Sequence, residues 1–127
     1  MQCQVLIVDD SKLARMVLAS VLRRIRPQWS LAEAANADQA LAAVGGGAVD
    51  IALIDFNMPG TDGLELVASI RNTHPGMPVA VVSANVQHEI IGRARELNAG
   101  FIAKPLTDEA LAAFLSGATL RLNKVTP

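Results

Sequence analysis

A single cysteine, Cys3, is all the thiol chemistry this chain of 127 residues has, so an internal disulfide is excluded. Cys3 falls in the first strand-like segment and reads as a small buried hydrophobe. Charge of one sign is also lacking: 11 basic and 12 acidic residues leave a net charge of −1, without the basic footprint that binding a phosphate backbone requires. Direct nucleic-acid binding is therefore not expected. The hydrophobic fraction is 51%, yet charged or polar residues interrupt every apolar run well short of the ~18 residues of a membrane span, so no membrane partner is expected. The N-terminal MQCQVLIVDD has no basic n-region or small-residue cleavage site, and Val5 to Val8 is too short for a signal h-region. A cytoplasmic location is the resulting expectation.

What is present is punctuation around short apolar runs. Gln4 to Val8 is nearly continuous and apolar and ends in Asp9 and Asp10; Leu13, Val17, Val21 and Ile25 follow at four-residue spacing, with Ala14, Leu18 and Leu22 alongside. A buried strand and an amphipathic helix follow from this, the helix capped by Ser11 and ended by Pro27. The pattern repeats: strand Ser30 to Ala34 and helix Ala37 to Val44, stopped by Gly45-Gly46-Gly47; strand Asp50 to Asp55 and a helix marked by Leu64, Val67, Ala68 and Ile70. Strand Pro78 to Ser83 then precedes a helix carrying Ile90, Ile91, Ala94 and Leu97, and Phe101 to Ala103 precedes one striped by Leu111, Phe114 and Leu115 and capped by Thr107. Length and pattern suit one domain over residues 1–120, with a flexible C-terminal tail at 121–127. Five strands alternating with five helices predict an α/β fold, a doubly wound five-stranded parallel sheet of flavodoxin-like order 2-1-3-4-5. In such a sheet the ligand site lies beyond the carboxyl ends of the strands.

Those ends carry Asp9 and Asp10 after the first strand, Asp55 after the third, Ser83 at the fourth and Lys104 after the fifth. Taken singly, Asp9 and Asp10 suit a helix cap, Asp55 a turn residue before Pro59-Gly60, and Lys104 a solvated lysine. Their joint placement favours a site. Three carboxylates within a few ångströms repel by on the order of 4 kcal/mol per pair at 4 Å and an effective dielectric near 20, which calls for a cation. All-oxygen ligands with room for water suit Mg²⁺, with Mn²⁺ as a substitute. Adding an ammonium and a hydroxyl makes a receptor for phosphate, and points to phosphoryl transfer onto Asp55.

The motifs VLIVDDS, LIDFNMPGTDG, Ser83-Ala84 and FIAKP, in this order and spacing, resemble the receiver domain of two-component response regulators, the single-domain chemotaxis type in particular, over about Gln2 to Ala118. The resemblance implies that Asp55 accepts a phosphoryl group from a phosphohistidine of a sensor histidine kinase or phosphotransfer protein, in a self-catalysed reaction. It implies Mg²⁺ held by Asp10, Asp55, the backbone carbonyl of Asn57 and, through water, Asp9, with Lys104 pairing Asp55 and then the phosphoryl oxygens. Ser83 and Phe101 would be the switch pair, Phe101 standing where many relatives have tyrosine. Their movement would alter the surface of the fourth helix, fifth strand and fifth helix and so the affinity for a downstream protein target. Gln87, Arg93 and Arg95 are candidates for that face, although exposed charge suits a plain solvated face equally. The resemblance further implies a cis Lys104-Pro105 peptide, a role for Asn57 and Asn85 in the lifetime of the aspartyl phosphate, and either a monomer or a phosphorylation-dependent dimer.

Two other functions compete. A haloacid-dehalogenase-like phosphatase also forms an aspartyl phosphate, but usually needs a second aspartate two residues on, where this chain has Asn57. A pseudo-receiver would keep the fold as a protein-interaction module without phosphorylation; the complete set of Asp9, Asp10, Asp55, Ser83 and Lys104 argues against it, since a scaffold gains nothing from clustered carboxylates. His74 and His88 share no ligand spacing, and Trp29 reads as a packing residue.

Overall fold

The computed structural model describes residues 2–125, with side chains described to 122. Strands β1 (Gln4–Val8), β2 (Ser30–Ala34), β3 (Ile51–Asp55), β4 (Val79–Ser83) and β5 (Gly100–Ala103) alternate with helices α1 (Lys12–Ile25), α2 (Ala37–Gly45), α3 (Gly63–Thr73), α4 (His88–Glu96) and α5 (Asp108–Val125). All pairings are parallel, in the order β2-β1-β3-β4-β5. The sheet is covered on both faces, which is why β3 and β4 are apolar at every position up to their last residues instead of alternating. On one face Leu6, Ile54 and Val81 meet Val44, Val67 and Ile70 of α2 and α3 and Ile90 of α4. On the other, Val5, Leu53 and Val82 meet Leu22 of α1 and Leu111 and Leu115 of α5.

Side-chain caps define where several helices start. Ser11, Asn36, Asp62 and Thr107 each accept a backbone N–H three residues on, from Ala14, Gln39, Glu65 and Ala110, satisfying donors that a helix start leaves open. Only α4 begins without one, at Gln87.

Two helices differ from the sequence expectation. In α1, Leu13 and Val17 lie 70% and 55% exposed, and the buried face is carried by Ala19 and Leu22. A four-residue spacing advances about 40° too far per step in a helix of 3.6 residues per turn, so Leu13 sits roughly 120° around the helix from Ile25. The stripe spirals off the core. At the other terminus α5 continues through Arg121 to Val125, where the sequence suggested an unpatterned tail. Leu111, Leu115, Ala118 and Leu122 keep a 4-3-4 spacing, and Leu122 still packs on the core, so the apolar stripe outlasts the point at which it was expected to stop. Residues 126 and 127 of that expected tail lie outside the described residues.

Candidate functional site

Register carries the site. Val8 is level with Ile54, Asp55 with Val82, and Ser83 with Ala103, so the first residues past β1 and β5 rise beside the ends of β3 and β4. The ladder extends one hydrogen bond past the strands: Asp9 N–H donates to Ala34, Phe56 N–H to Val82 and Lys104 N–H to Ser83, at 3.1, 3.0 and 2.9 Å. The backbone beside each charged group is thereby fixed by the sheet and does not depend on a loop.

On this edge Asp9, Asp10 and Asp55 each present a carboxylate oxygen within 4.8 Å of the others. Lys104 Nζ donates to Asp55 Oδ1 at 3.1 Å. Asp55 is 6% exposed, and burial pushes its carboxyl above the usual range; the hydrogen bond from Lys104 opposes that shift, and the charges of Asp9 and Asp10 reinforce it. A carboxyl held this way lacks positive charge. Three hard oxygen donors, one of them exposed on Asp10, fit a divalent cation of the Mg²⁺ class.

Of the remaining expected site residues, Ser83, Asn57 and Asn85 lie at or just past the strand ends that carry this cluster, and Phe101 does not. Ser83 is fully buried, its Oγ accepting the Asn85 N–H at 2.9 Å, while Asn85 Oδ1 accepts the Gln87 N–H at 3.1 Å. These contacts fold the segment between β4 and α4 back on itself. Asn57 is exposed two residues beyond Asp55. Phe101 lies away from the carboxylates, partly buried in the cluster that includes Ile90 and Leu97. The Lys104-Pro105 peptide is cis.

Two supports escaped the sequence reading. Gly63 N–H donates to Phe56 at 2.9 Å, and a Cβ on Gly63 would stand 2.6 Å from the Asp55 carbonyl oxygen. Only glycine lets α3 begin that close to the acid. The signal was present in the sequence, because a glycine directly after a capping aspartate opens a helix with a poor helix former. The second is Arg15, which reaches back from α1 to donate to the Asp9 carbonyl while its Nε pairs with Glu33 Oε1 at 2.9 Å. Nothing in the spacing announces that contact.

Beside Asp55 opens a cavity of about 370 Å³, walled by Leu13 and Val17 of α1 on one side and Lys104, Pro105 and Leu106 on the other. The acid is thus reachable through an apolar mouth. The family model of the response regulator receiver domain matches residues 5–116. The chain belongs to that family.

As a receiver domain it is similar to the glycerol metabolism activator of Pseudomonas putida, 36% identical over 80% of this chain and 47% of that protein. It is also similar to the positive alginate biosynthesis regulatory protein of Pseudomonas aeruginosa, 36% identical over 95% of this chain and 48% of that one. The chain spans about half the length of these two relatives. It matches the chemotaxis protein CheY of Pseudomonas aeruginosa at 29% identity over 94% of this chain and 98% of that protein. Among solved structures, chemotaxis protein CheY4 of Vibrio cholerae superposes with a TM-score of 0.83 at 26% identity, covering 93% of this chain and 99% of that one. The receiver domain and its five-stranded order are those the motifs implied.

Proposed function

We propose that this receiver domain takes a phosphoryl group on Asp55 and uses it to change its affinity for a protein target. The observation that carries the reading is the Lys104 ammonium 3.1 Å from a buried Asp55 carboxylate, in a cluster with Asp9 and Asp10 that remains short of positive charge. In the proposed step an Asp55 carboxylate oxygen attacks phosphorus in line with the departing group. A phosphorus–nitrogen bond to a donor histidine breaks, its electron pair leaves on the imidazole, and the new bond is an acyl phosphate. Mg²⁺ held by Asp10, Asp55 and the Asn57 carbonyl, with Asp9 through water, would supply positive charge to the incoming oxygens. Lys104 holds the Asp55 carboxylate before the reaction and a phosphoryl oxygen after it.

The donor is a sensor histidine kinase or phosphotransfer protein. Leu13, Met16 and Val17, all more than half exposed, form an apolar strip beside the mouth that leads to Asp55, which suits docking of such a protein. The output follows from Ser83. Its hydroxyl, given over to the Asn85 amide before phosphorylation, turns to the phosphoryl oxygens and draws the segment before α4 inward, so that Phe101 and the α4–β5–α5 surface repack. Asn57 and Asn85 flank the approach of a hydrolytic water and tune the lifetime of the product.

Incubation with Mg²⁺ and acetyl phosphate tests the reading by intact mass. One phosphoryl adduct is expected on the wild type, none on Asp55→Asn and none with a chelator present. An unmodified wild type would sink it.

A further inference from the structure

At the end of the sheet remote from Asp55, the C-terminal end of α4, the start of β5 and the middle of α5 enclose a groove of about 340 Å³, lined among others by Arg95, Asn98, Gly100, Phe114, Gly117 and Arg121. Its charge is one-sided. Among the described residues no carboxylate lines it, and neither the Arg95 nor the Arg121 guanidinium has a hydrogen-bond or ion-pair partner, whereas those of Arg15, Arg24 and Arg93 each pair with an acid. The charge of Arg121 also lowers the pKa of nearby Arg71, after the larger effect of burial, so the positive field extends beyond the two groove residues.

The apolar part of the groove is shaped by two glycines. A Cβ on Gly100 would come within 3.0 Å of the Phe114 ring; its absence lets the ring lie against β5 as a floor. Gly117 is the opposite case, since a Cβ there would meet nothing within 4 Å. A glycine inside a helix weakens it, and among the described residues nothing from outside the helix's own backbone fills the space it leaves.

We propose that this groove is the recognition site for an acidic segment of the partner protein, with carboxylates on Arg95 and Arg121 and one apolar side chain set over Phe114 in the notch at Gly117. Guanidinium groups pair carboxylates in a fork geometry that fixes orientation as well as affinity. Two cations on a chain of net charge −1 are too few for a phosphate backbone, where affinity grows with each charge neutralised. The inference rests on the reading of the α4–β5–α5 face as the output surface.

A random-peptide phage library panned on the wild-type chain, with and without Mg²⁺ and acetyl phosphate, supplies the test. Enriched peptides should carry aspartate or glutamate on both sides of one leucine, isoleucine or phenylalanine. A synthetic peptide of that sequence should lose about tenfold in affinity in Arg95→Glu and again in Arg121→Glu, and a comparable amount in Gly117→Leu, which fills the notch without reversing charge. All three variants should melt no lower than wild type and still take the phosphoryl group, so a missing adduct would count against the phosphoacceptor reading alone. The proposal is overturned if no acidic peptides are enriched or if the peptide binds the charge-reversed variants as it binds wild type. It is equally overturned if the groove proves to be occupied by a second copy of the chain or by a random-sequence oligonucleotide in competition.

Discussion

The two ends of the sheet treat charge in opposite ways. At the carboxyl end, Asp9, Asp10 and Asp55 crowd together with one lysine among them, and the buried member is pushed toward its neutral form. At the amino end, Arg71 is a half-buried cation, and its guanidinium donates to the carbonyls of Leu97 and Asn98 at 2.8 and 3.0 Å and also to that of Met77. Arg71 is satisfied inside the chain, tying the end of α3 and its turn to the turn between α4 and β5. Among the described residues the three acids share one ammonium, that of Lys104 on Asp55, and the Ser11 N–H on Asp9, which leaves most of their charge unmatched. A buried charge whose hydrogen bonds close within the fold acts as structure; one left short of counter-charge stores free energy that only a ligand releases.

That contrast is open to attack at both ends. The largest effect is expected from Lys104→Ala, which removes the ammonium paired with Asp55: phosphorylation by acetyl phosphate should slow by about 100-fold, read as the rate of adduct formation by mass, while urea unfolding loses only on the order of 1 kcal/mol. A rate within a fewfold of wild type would mean that Lys104 is an ordinary ion-pair partner. Arg71→Ala should do the reverse. Losing a buried group with several carbonyl acceptors should cost about 3 kcal/mol in urea unfolding and leave the phosphorylation rate of the folded fraction near wild type.

Asp55→Asn should stabilise the chain in the absence of divalent ions, by on the order of 1 kcal/mol, because two repulsive contacts vanish with one attractive contact. The sign depends on pH. Burial raises the folded pKa of Asp55, so the contribution of this carboxyl is favourable below the unfolded carboxylate range and is lost as pH rises through the folded value. The gap between variant and wild type should therefore be absent in acid and open as pH rises; a gap that shrinks with rising pH would contradict the assignment. The smallest change, Gly117→Ala, should raise unfolding stability by about 0.7 kcal/mol from helix propensity alone, since among the described residues the added methyl meets nothing beyond its own helix. Destabilisation there would show that the notch belongs to internal packing.

The carboxyl end was readable in the sequence because each charged residue follows an apolar strand directly, and strand order then places all of them on one edge. IALIDFNMPGTDG shows this best: an uninterrupted buried strand can end at Asp55 only where the sheet ends. The amino end was not readable. Arg71 donates to carbonyls 3 to 27 residues away, and backbone acceptors are the same whatever residues carry them, so no residue type advertises them. Arg15 escaped for the same reason, its acceptor being the Asp9 carbonyl. Leu13 and Val17 share the apolar four-residue spacing of the amphipathic helix yet are exposed, because that spacing looks helical over two turns and drifts off the face over four. The extra turns of α5 were missed because Ala118, a small residue, carries the stripe across to Leu122.

The central claim is that the charge-starved acid at the end of β3, and no other, accepts the phosphoryl group. Borohydride reduction converts an acyl phosphate to an alcohol, so reducing the acetyl-phosphate-treated protein and mapping its peptides by mass reads the site directly. Homoserine at position 55 alone, dependent on Mg²⁺, is the expected result; reduction at Asp9 or Asp10, or at no residue, would contradict it.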